Sequence, residues 1–453
     1  MAALTRRGKV VQPFKCGPDY IDTKFHEAVC HRPSINLDPF MATPDHIRQI
    51  FSHYSSGADL SIVEGMMGLF DGYSRDKGST AEIAAILSLP VILVVNAQSA
   101  AYSLAALLSG FVNFRSDINI AGVIFNKVGS PRHYSMLQDI CQDLSLTCFG
   151  YLPKDPSIEQ ASRYLGLDFS QTVTDEAINH LIELAERCID IPKLTTLNSS
   201  LITHHSSLIT HHSSLFTLKD SSFLIDYVDS PHARHTKSYR FCLLSLNRGI
   251  PHSSFNSVVL RNDESFSFIY AEHLDILRHA GTVTFIDPES DQPIPDDTDF
   301  LYLPGGYPEK HAKQLSQATR AMRSVRDYIE RGGKALAECG GMIYLTQGIH
   351  FEEEFVPMVG VLPFSISFRK QDRKLSLGYR QFTLDGKTIR GHEFHYSQID
   401  SSLFTFHSSL FTLPVVNAKG EPVPTKVFRY KNLLASYIHL FFQSPDLLLK
   451  PET

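Results

Sequence analysis

Short apolar runs alternate with longer segments of helical character along the first half of the chain. Asp59-Leu60-Ser61-Ile62-Val63 is one such run, closed by Glu64 and by the glycine-rich Gly65-Met66-Met67-Gly68-Leu69-Phe70-Asp71-Gly72. Leu89-Pro90-Val91-Ile92-Leu93-Val94-Val95-Asn96 has the apolar character of a parallel strand buried on both faces. Helix-like residues 100–108 lead to a strand over 118–125 that ends in Asn126-Lys127, and a shorter strand over 147–152 precedes Pro153. Strands that alternate with helices predict a doubly wound parallel sheet. The opening is out of step. Residues 1–7 read as a helix ended by Gly8, and a short strand through Val10, Val11 and Phe14 then runs into Gly17-Pro18-Asp19-Tyr20-Ile21-Asp22. No strand precedes that first helix.

The second half carries its own strands. Residues 241–246 and 257–260 are strand-like, and the segment between them reads as an insertion. Phe300-Leu301-Tyr302-Leu303 leads into Pro304-Gly305-Gly306-Tyr307-Pro308-Glu309, and one long amphipathic helix is predicted over 312–331. Lys334-Ala335-Leu336-Ala337-Glu338 then ends abruptly on Cys339-Gly340-Gly341-Met342. Both loops thus lie at C-terminal ends of parallel strands, on one edge of one sheet, where α/β proteins bind ligands. A last apolar strand over 433–442 carries His439.

Between the halves the pattern fails. Ser199-Ser200-Leu201-Ile202-Thr203-His204-His205 recurs as residues 206–212, a degraded third copy starts at Ser213, and related units fill 401–407 and 408–414. These units are too polar and too short to build a core, so both tracts read as exposed, poorly ordered insertions. A chain of 453 residues exceeds one ordinary core. The expected division is a first domain over 1–192, a repeat linker over 193–237, a second domain over 238–446 and a tail over 447–453.

Charge and cysteine usage narrow the setting. A formal charge of −6 gives no general attraction to nucleic acid or to an anionic membrane. No apolar run is long enough to span a bilayer, and no signal peptide stands at the start. The seven cysteines are scattered with no C-x-x-C pair, which fits reduced thiols in a cytoplasm.

The candidate chemistry sits at the strand ends. A thiol at Cys339, on a strand–turn–helix corner, can be a nucleophile, with the helix N-terminus favouring the thiolate; a buried structural cysteine is the plain alternative. Gly305-Gly306 can present backbone N–H groups to an oxyanion, or simply form a tight turn. Asp19 and Asp22 follow a strand end, where α/β proteins bind ligands; Glu64, with Asp22 and Asp71 in similar settings, offers hard oxygen donors for a metal and substrate site that suits Mg²⁺ held with nucleotide phosphates; turn capping is the other use of such residues. Asn126 can read an adenine edge or cap the helix that starts near Pro131. Gly391-His392-Glu393-Phe394-His395-Tyr396 invites a zinc reading, but its histidines lie at i and i+3 on a strand and face opposite ways. His439 reads as a core histidine or as the base for Cys339.

These motifs together resemble the cobyrinic acid a,c-diamide synthase family of glutamine-dependent amidoligases. The resemblance rests on Gln12-Pro13-Phe14-Lys15-Cys16-Gly17-Pro18-Asp19-Tyr20-Ile21-Asp22, residues 63–72, residues 303–309, Glu338-Cys339-Gly340-Gly341-Met342, residues 391–397 and Ala435-Ser436-Tyr437-Ile438-His439, in that order. It implies an N-terminal P-loop-type domain like dethiobiotin synthetase and a C-terminal α/β domain like class I glutamine amidotransferases. Cys339 would attack the glutamine amide, His439 would act as base and then acid, and backbone N–H groups near Gly306 and Gly340 would hold the oxyanion. Released ammonia would reach the first domain, where ATP activates a substrate carboxylate as an acyl phosphate. Lys15 would face the phosphates, Asn126 the adenine, Asp22 and Glu64 the Mg²⁺, and Asp19, Tyr20 and Asp71 the substrate. The implied partners are a corrinoid polycarboxylate, L-glutamine and ATP, with no nucleic acid or membrane; a homodimer is compatible with this. Hydrogenobyrinic acid and nickel-sirohydrochlorin are the alternative macrocycles.

Two departures stand out. Many class I amidotransferases carry Glu two residues after the histidine, where this chain has Phe441. The family also has a strand and a G-x-x-x-x-G-K-[ST] loop ahead of the helix at residues 1–7, and neither is present. The expectation is a sheet without its central strand and P-loop, from a chain begun at an internal Met. A remnant with glutaminase or binding activity alone is the contrasting reading.

Overall fold

Strand β1 (Val11–Cys16) is buried at all six positions, Gln12 and Lys15 included. Gln12 survives there because its amide is spoken for: Nε2 donates to the carbonyls of Pro13 and Pro33, and Oε1 accepts from Arg32 Nε. The computed structural model describes residues 1–156, 174–197, 216–217, 226–227, 255–261, 265–400 and 410–443. It divides into two units, one of Met1–Pro39 with Thr43–Arg234 and one of Phe40–Ala42 with His235–Thr453.

In the first unit β1 pairs in parallel with β2 (Ile35–Leu37) on one side and β3 (Leu60–Glu64) on the other. A second parallel sheet follows, of β4 (Val91–Asn96), β5 (Ile120–Val128) and β6 (Cys148–Pro153), in that order. Neither β3 nor β4 pairs a further strand among the described residues. The prediction that β4 is buried on both faces fails. Leu93 and Val95 join a core with Leu104, Leu108 and Phe125, while Val94 on the opposite face is 63% exposed. Apolar composition reports what a strand can bury, not whether a cover is in place on each side. The two-residue strands β7 (Phe216–Thr217) and β8 (Asp226–Tyr227) pair antiparallel.

The second unit has, in chain order, β9 (Asn256–Leu260), β10 (Thr282–Ile286), β11 (Phe300–Leu303), β12 (Lys334–Glu338), β13 (Gly348–His350), β14 (Phe355–Pro357), β15 (Ser365–Ser367), β16 (Ser376–Leu384), β17 (Lys387–His395), β18 (Gln398–Asp400), β19 (Leu410–Leu413), β20 (Val415–Asn417), β21 (Val427–Tyr430), β22 (Leu433–Ser436) and β23 (His439–Leu440). Its seven-stranded sheet runs β10-β9-β11-β12-β22-β21-β19, parallel from β10 to β22 and antiparallel beyond. Two four-stranded sheets, β14-β13-β15-β18 and β20-β16-β17-β23, complete it. Phe40 belongs here: its ring lies 4.6 Å from that of Tyr379, and its carbonyl accepts from Arg390 Nη1 at 3.1 Å.

Three expectations are corrected. The helix predicted over 312–331 is two, Ala312–Gln317 and Thr319–Glu330. Asp291 causes the break, because its Oδ1 accepts from the N–H groups of Arg320 and Ala321 and so caps a second helix start. The strand predicted over 433–442 is also two, β22 and β23, in different sheets; Ser436 Oγ accepts from Ile438 N–H at the switch. Finally, the repeat copy 408–414 is not merely an exposed insertion. Its residues 410–413 form β19, and Leu410 and Leu413 pack against the two main clusters of this unit. The copies at 199–212 and 401–407, and the strand expected over 241–246, lie outside the described residues.

Candidate active site

Cys339 follows β12 at φ 43°, ψ −103°, a strained backbone for a residue with a side chain, and the helix Gly340–Leu345 starts directly after it. Its N–H donates to Ser436 O at 2.7 Å, which ties the corner to β22. The thiol is buried, and here the expected preference for thiolate is overturned. Burial pushes its pKa well above the usual thiol range, and the charges of Glu309, Glu393 and Glu338 push the same way; only the Gly340 N–H opposes them. A helix of six residues cannot outweigh that combination. At rest Cys339 is a thiol.

The Gly305-Gly306 loop after β11 meets this corner. A Cβ on Gly340 would lie 3.0 Å from Gly306 N, and a Cβ on Gly305 would lie 2.2 Å from His439 Cε1. Glycine is therefore required on both sides, and His439 and the residue following Cys339 come to the same loop. His439 sits on β23, opposite His392 of β17 in register, and the two rings stack at 5.0 Å. Burial pulls His439 down to about 3, with His395 adding to the effect, so the imidazole is neutral. A neutral imidazole can accept a thiol proton, which an imidazolium could not.

The segment 391–397, read above as an improbable zinc motif, packs around this centre. His392 stacks on His439, His395 stacks on Tyr437 at 3.6 Å, and Glu393 pairs with Arg380 at 3.0 Å. Sequence reasoning also passed over Glu309, Glu338 and Tyr437. The available signal was an acid inside an apolar strand: Glu338 directly precedes Cys339. Glu338 accepts from Tyr302 OH at 2.7 Å and from Leu440 N–H at 2.9 Å, and burial pushes it up to about 8.

That shift has a sign in stability. Glu338 ionises near 4.5 when unfolded and near 8 when folded, so between these values the fold holds the extra proton and loses stability as pH rises. Glu338→Gln removes the effect. Denaturant titrations from pH 5 to pH 8 are expected to show wild type falling relative to the variant by roughly 1 kcal/mol per pH unit.

In the first unit Lys15 Nζ lies 2.7 Å from Asp22 Oδ2, 3.5 Å from Glu64 Oε1 and 3.0 Å from Gly65 O. Burial draws this ammonium's pKa down, but the hydrogen bond to Asp22 and the charges of Glu64, Asp22 and Asp19 more than reverse it. His26 Nε2 contacts Glu64 Oε2, and His26 Nδ1 lies 2.9 Å from Ser34 Oγ. Asp19 Oδ1 accepts from the N–H groups of Ile21 and Asp22, and burial, then the charge of Asp22, raises its pKa. A Cβ on Gly17 would strike Met66 Sδ at 2.4 Å, so the loops after β1 and β3 pack together and gather Lys15, Asp19, Tyr20, Asp22 and Glu64. Asp71 lies further along the second loop, accepting from Gly68 N–H. Asn126 stands apart from them, on β5 of the other sheet beside Asn96. It does not cap the helix Pro131–Asp143; Ser130 does, accepting from His133 N–H. A cavity of about 490 Å³ next to it is lined by Lys127, Arg132, His133 and Lys154.

Comparison with known proteins defines the class. Residues 257–447 match a CobB/CobQ-like glutamine amidotransferase domain, and residues 33–162 match an AAA domain. A glutamine amidotransferase half joined to a P-loop-like half is the make-up of a glutamine-dependent ligase. Cobyrinate a,c-diamide synthase of Caldanaerobacter subterraneus subsp. tengcongensis is 35% identical over 97% of this chain and 90% of its own length. Hydrogenobyrinate a,c-diamide synthase of Brucella anthropi is 36% identical over 88% of this chain and 85% of its own. The chain belongs to the cobyrinate and hydrogenobyrinate a,c-diamide synthase family. A solved glutamine amidotransferase aligns with 40% of this chain and 89% of its own at 18% identity and a TM-score of 0.27, too slight a likeness to argue from. No helix among the described residues is long and apolar enough to cross a membrane.

Proposed function

We propose that this chain amidates the a and c acetate carboxylates of cobyrinic acid in cobalamin biosynthesis, with glutamine as nitrogen donor and ATP as activator. The observation that carries the reading is the likeness to cobyrinate a,c-diamide synthase along nearly the whole of both chains. In the second unit Cys339 gives its proton to neutral His439 and attacks the glutamine amide carbon. Backbone N–H groups at Gly306 and Gly340 face the oxyanion, His439 returns the proton to the departing ammonia, and water releases glutamate from the thioester. In the first unit the substrate carboxylate takes the terminal phosphoryl group of ATP, leaving ADP, and ammonia displaces phosphate to give the amide. Lys15, buried and cationic, faces that negative charge, and Asp19, Tyr20 and Asp71 hold the macrocycle.

Mg²⁺ fits Asp22 and Glu64, two hard carboxylates drawn to one point by Lys15. When bound, it would offset charge on the transferring phosphoryl group. Asn126 faces the adenine, beside a cavity whose cations suit the anionic part of a nucleotide. The reaction runs in the cytoplasm, where ATP and glutamine are at hand.

The second reading, the same chemistry on hydrogenobyrinic acid, is favoured by the Brucella anthropi relative. Incubation with ATP, Mg²⁺ and glutamine, followed by mass spectrometry of each macrocycle, separates the two. A diamide is expected from cobyrinic acid; amidation of hydrogenobyrinic acid alone would replace the first reading, and of neither would end both.

A further inference from the structure

The peptide that joins Gly305 to Gly306 is gripped on one side. Gly305 O accepts from Ser267 N–H at 3.0 Å and from Phe268 N–H at 3.1 Å. The peptide is trans, so the Gly306 N–H points the opposite way from that carbonyl. A Cβ on Gly340 would lie 3.0 Å from Gly306 N, which puts this nitrogen against the residue after Cys339. The strap 265–268 therefore sets the aim of the donor. It also packs closely on the loop, since a Cβ on Gly306 would lie 2.1 Å from Ser265 O. One carboxylate holds the strap. Ser265 Oγ donates to Glu289 Oε1, and His311 Nδ1 lies 3.3 Å from the same carboxylate. Ser265 is fully buried, and the Glu289 and His311 side chains are mostly so. Ser265 opens the strap, and His311 ends the turn Pro308–His311 that follows the loop. Glu289 thus ties together both flanks of Gly305-Gly306, by bonds that its charge strengthens. Its own place is fixed. It lies on the turn Pro288–Ser290, its N–H donates to Asp287 Oδ1 at 2.9 Å, and Asp291, directly after that turn, caps the helix Thr319–Glu330.

We propose that Glu289 is a positioning residue for glutamine hydrolysis: through Ser265 and His311 it holds strap and loop so that the Gly306 N–H meets the oxyanion formed at the glutamine amide carbon. The proposal rests on the reading of Cys339 as nucleophile and Gly306 as donor, and adds the group that keeps the donor in line. An N–H aimed in advance costs no reorganisation when charge develops on the oxygen. A donor that meets only the tetrahedral state changes kcat and leaves ground-state binding alone.

The test is glutamine hydrolysis by the full chain carrying Glu289→Ala, Glu289→Gln or Ser265→Ala, with iodoacetamide labelling of Cys339 read by mass spectrometry. Displacement of iodide by the thiol builds no oxyanion, so labelling reports on the nucleophile alone. Glu289→Ala is expected to lose about 10-fold in kcat, a fraction of what losing an oxyanion donor outright costs. KM and the labelling rate should stay within about two-fold of wild type. Glu289→Gln keeps an acceptor for the Ser265 hydroxyl and should recover most of the kcat. Ser265→Ala removes one hydroxyl and should lower kcat in the same direction, which decides the matter should Glu289→Ala fold poorly. An unchanged kcat in whichever of the two alanine variants folds would overturn the proposal, and so would a rise in KM alone. Labelling that slows in step with hydrolysis would overturn it too, because it would place the damage at the thiol or in the fold. Hydrolysis that persists in Cys339→Ala is a separate result, which refutes the nucleophile on which the proposal rests.

Discussion

Replacing Cys339 by alanine is expected to lower glutamine hydrolysis by at least about 10⁴-fold while leaving the fold intact. Loss of a nucleophile removes the covalent route altogether, and the remaining groups can only assist attack by water. The variant should fold because alanine keeps the Cβ, the φ of 43° and the N–H bond to Ser436 O, and removes one sulfur from a well-packed corner. The check is ammonia release under saturating glutamine, with denaturant unfolding in parallel. A variant that unfolds early, or one that still hydrolyses glutamine at a tenth of the wild-type rate, contradicts the assignment.

His439→Asn should cost about 10³-fold in kcat for the same hydrolysis, since no other base is required to reach the thiol. The pH dependence is the sharper readout. With His439 held near 3 by burial, the acid limb of kcat/KM for wild type should lie well below 6.5, where an exposed imidazole would place it. Stability carries the same signature. The unfolded chain takes a proton on this imidazole near 6.5 and the folded chain only near 3, so this group costs stability as pH falls through that interval. His439→Asn should lose that slope as well as the activity. An acid limb near 6.5 that vanishes in the variant would mean that His439 is solvated in the working enzyme.

Much of the site was legible as residue types at strand ends. Glu64, Cys339 and the Gly305-Gly306 loop are where the alternation of strands and helices puts them. What the sequence hid was context. Alternation cannot say that an apolar run changes sheets at Tyr437, although that switch is what carries His439 to Gly305. A histidine pair at i and i+3 was rightly denied the helical zinc spacing, but its role in stacking on His439 and Tyr437 depends on a register that pairs residue 392 with residue 439. Helix-dipole reasoning favoured the thiolate because it could not see the burial of the corner or the charges of Glu309 and Glu393, both distant in sequence. Asp291 broke a predicted helix from nearly thirty residues upstream for the same reason. In each case the decisive partner is remote along the chain.

The strand at residues 410–413 occupies the rim of the larger sheet with only β21 beside it. Its loss would bare the backbone of β21 and offer those groups to any other molecule with a strand to lend. Tandem units gain and lose copies more readily than unique sequence does. Copy number along 401–414 thus becomes a trait on which selection for solubility can act, and a stutter in the coding sequence is partly guarded by the sheet it happened to join.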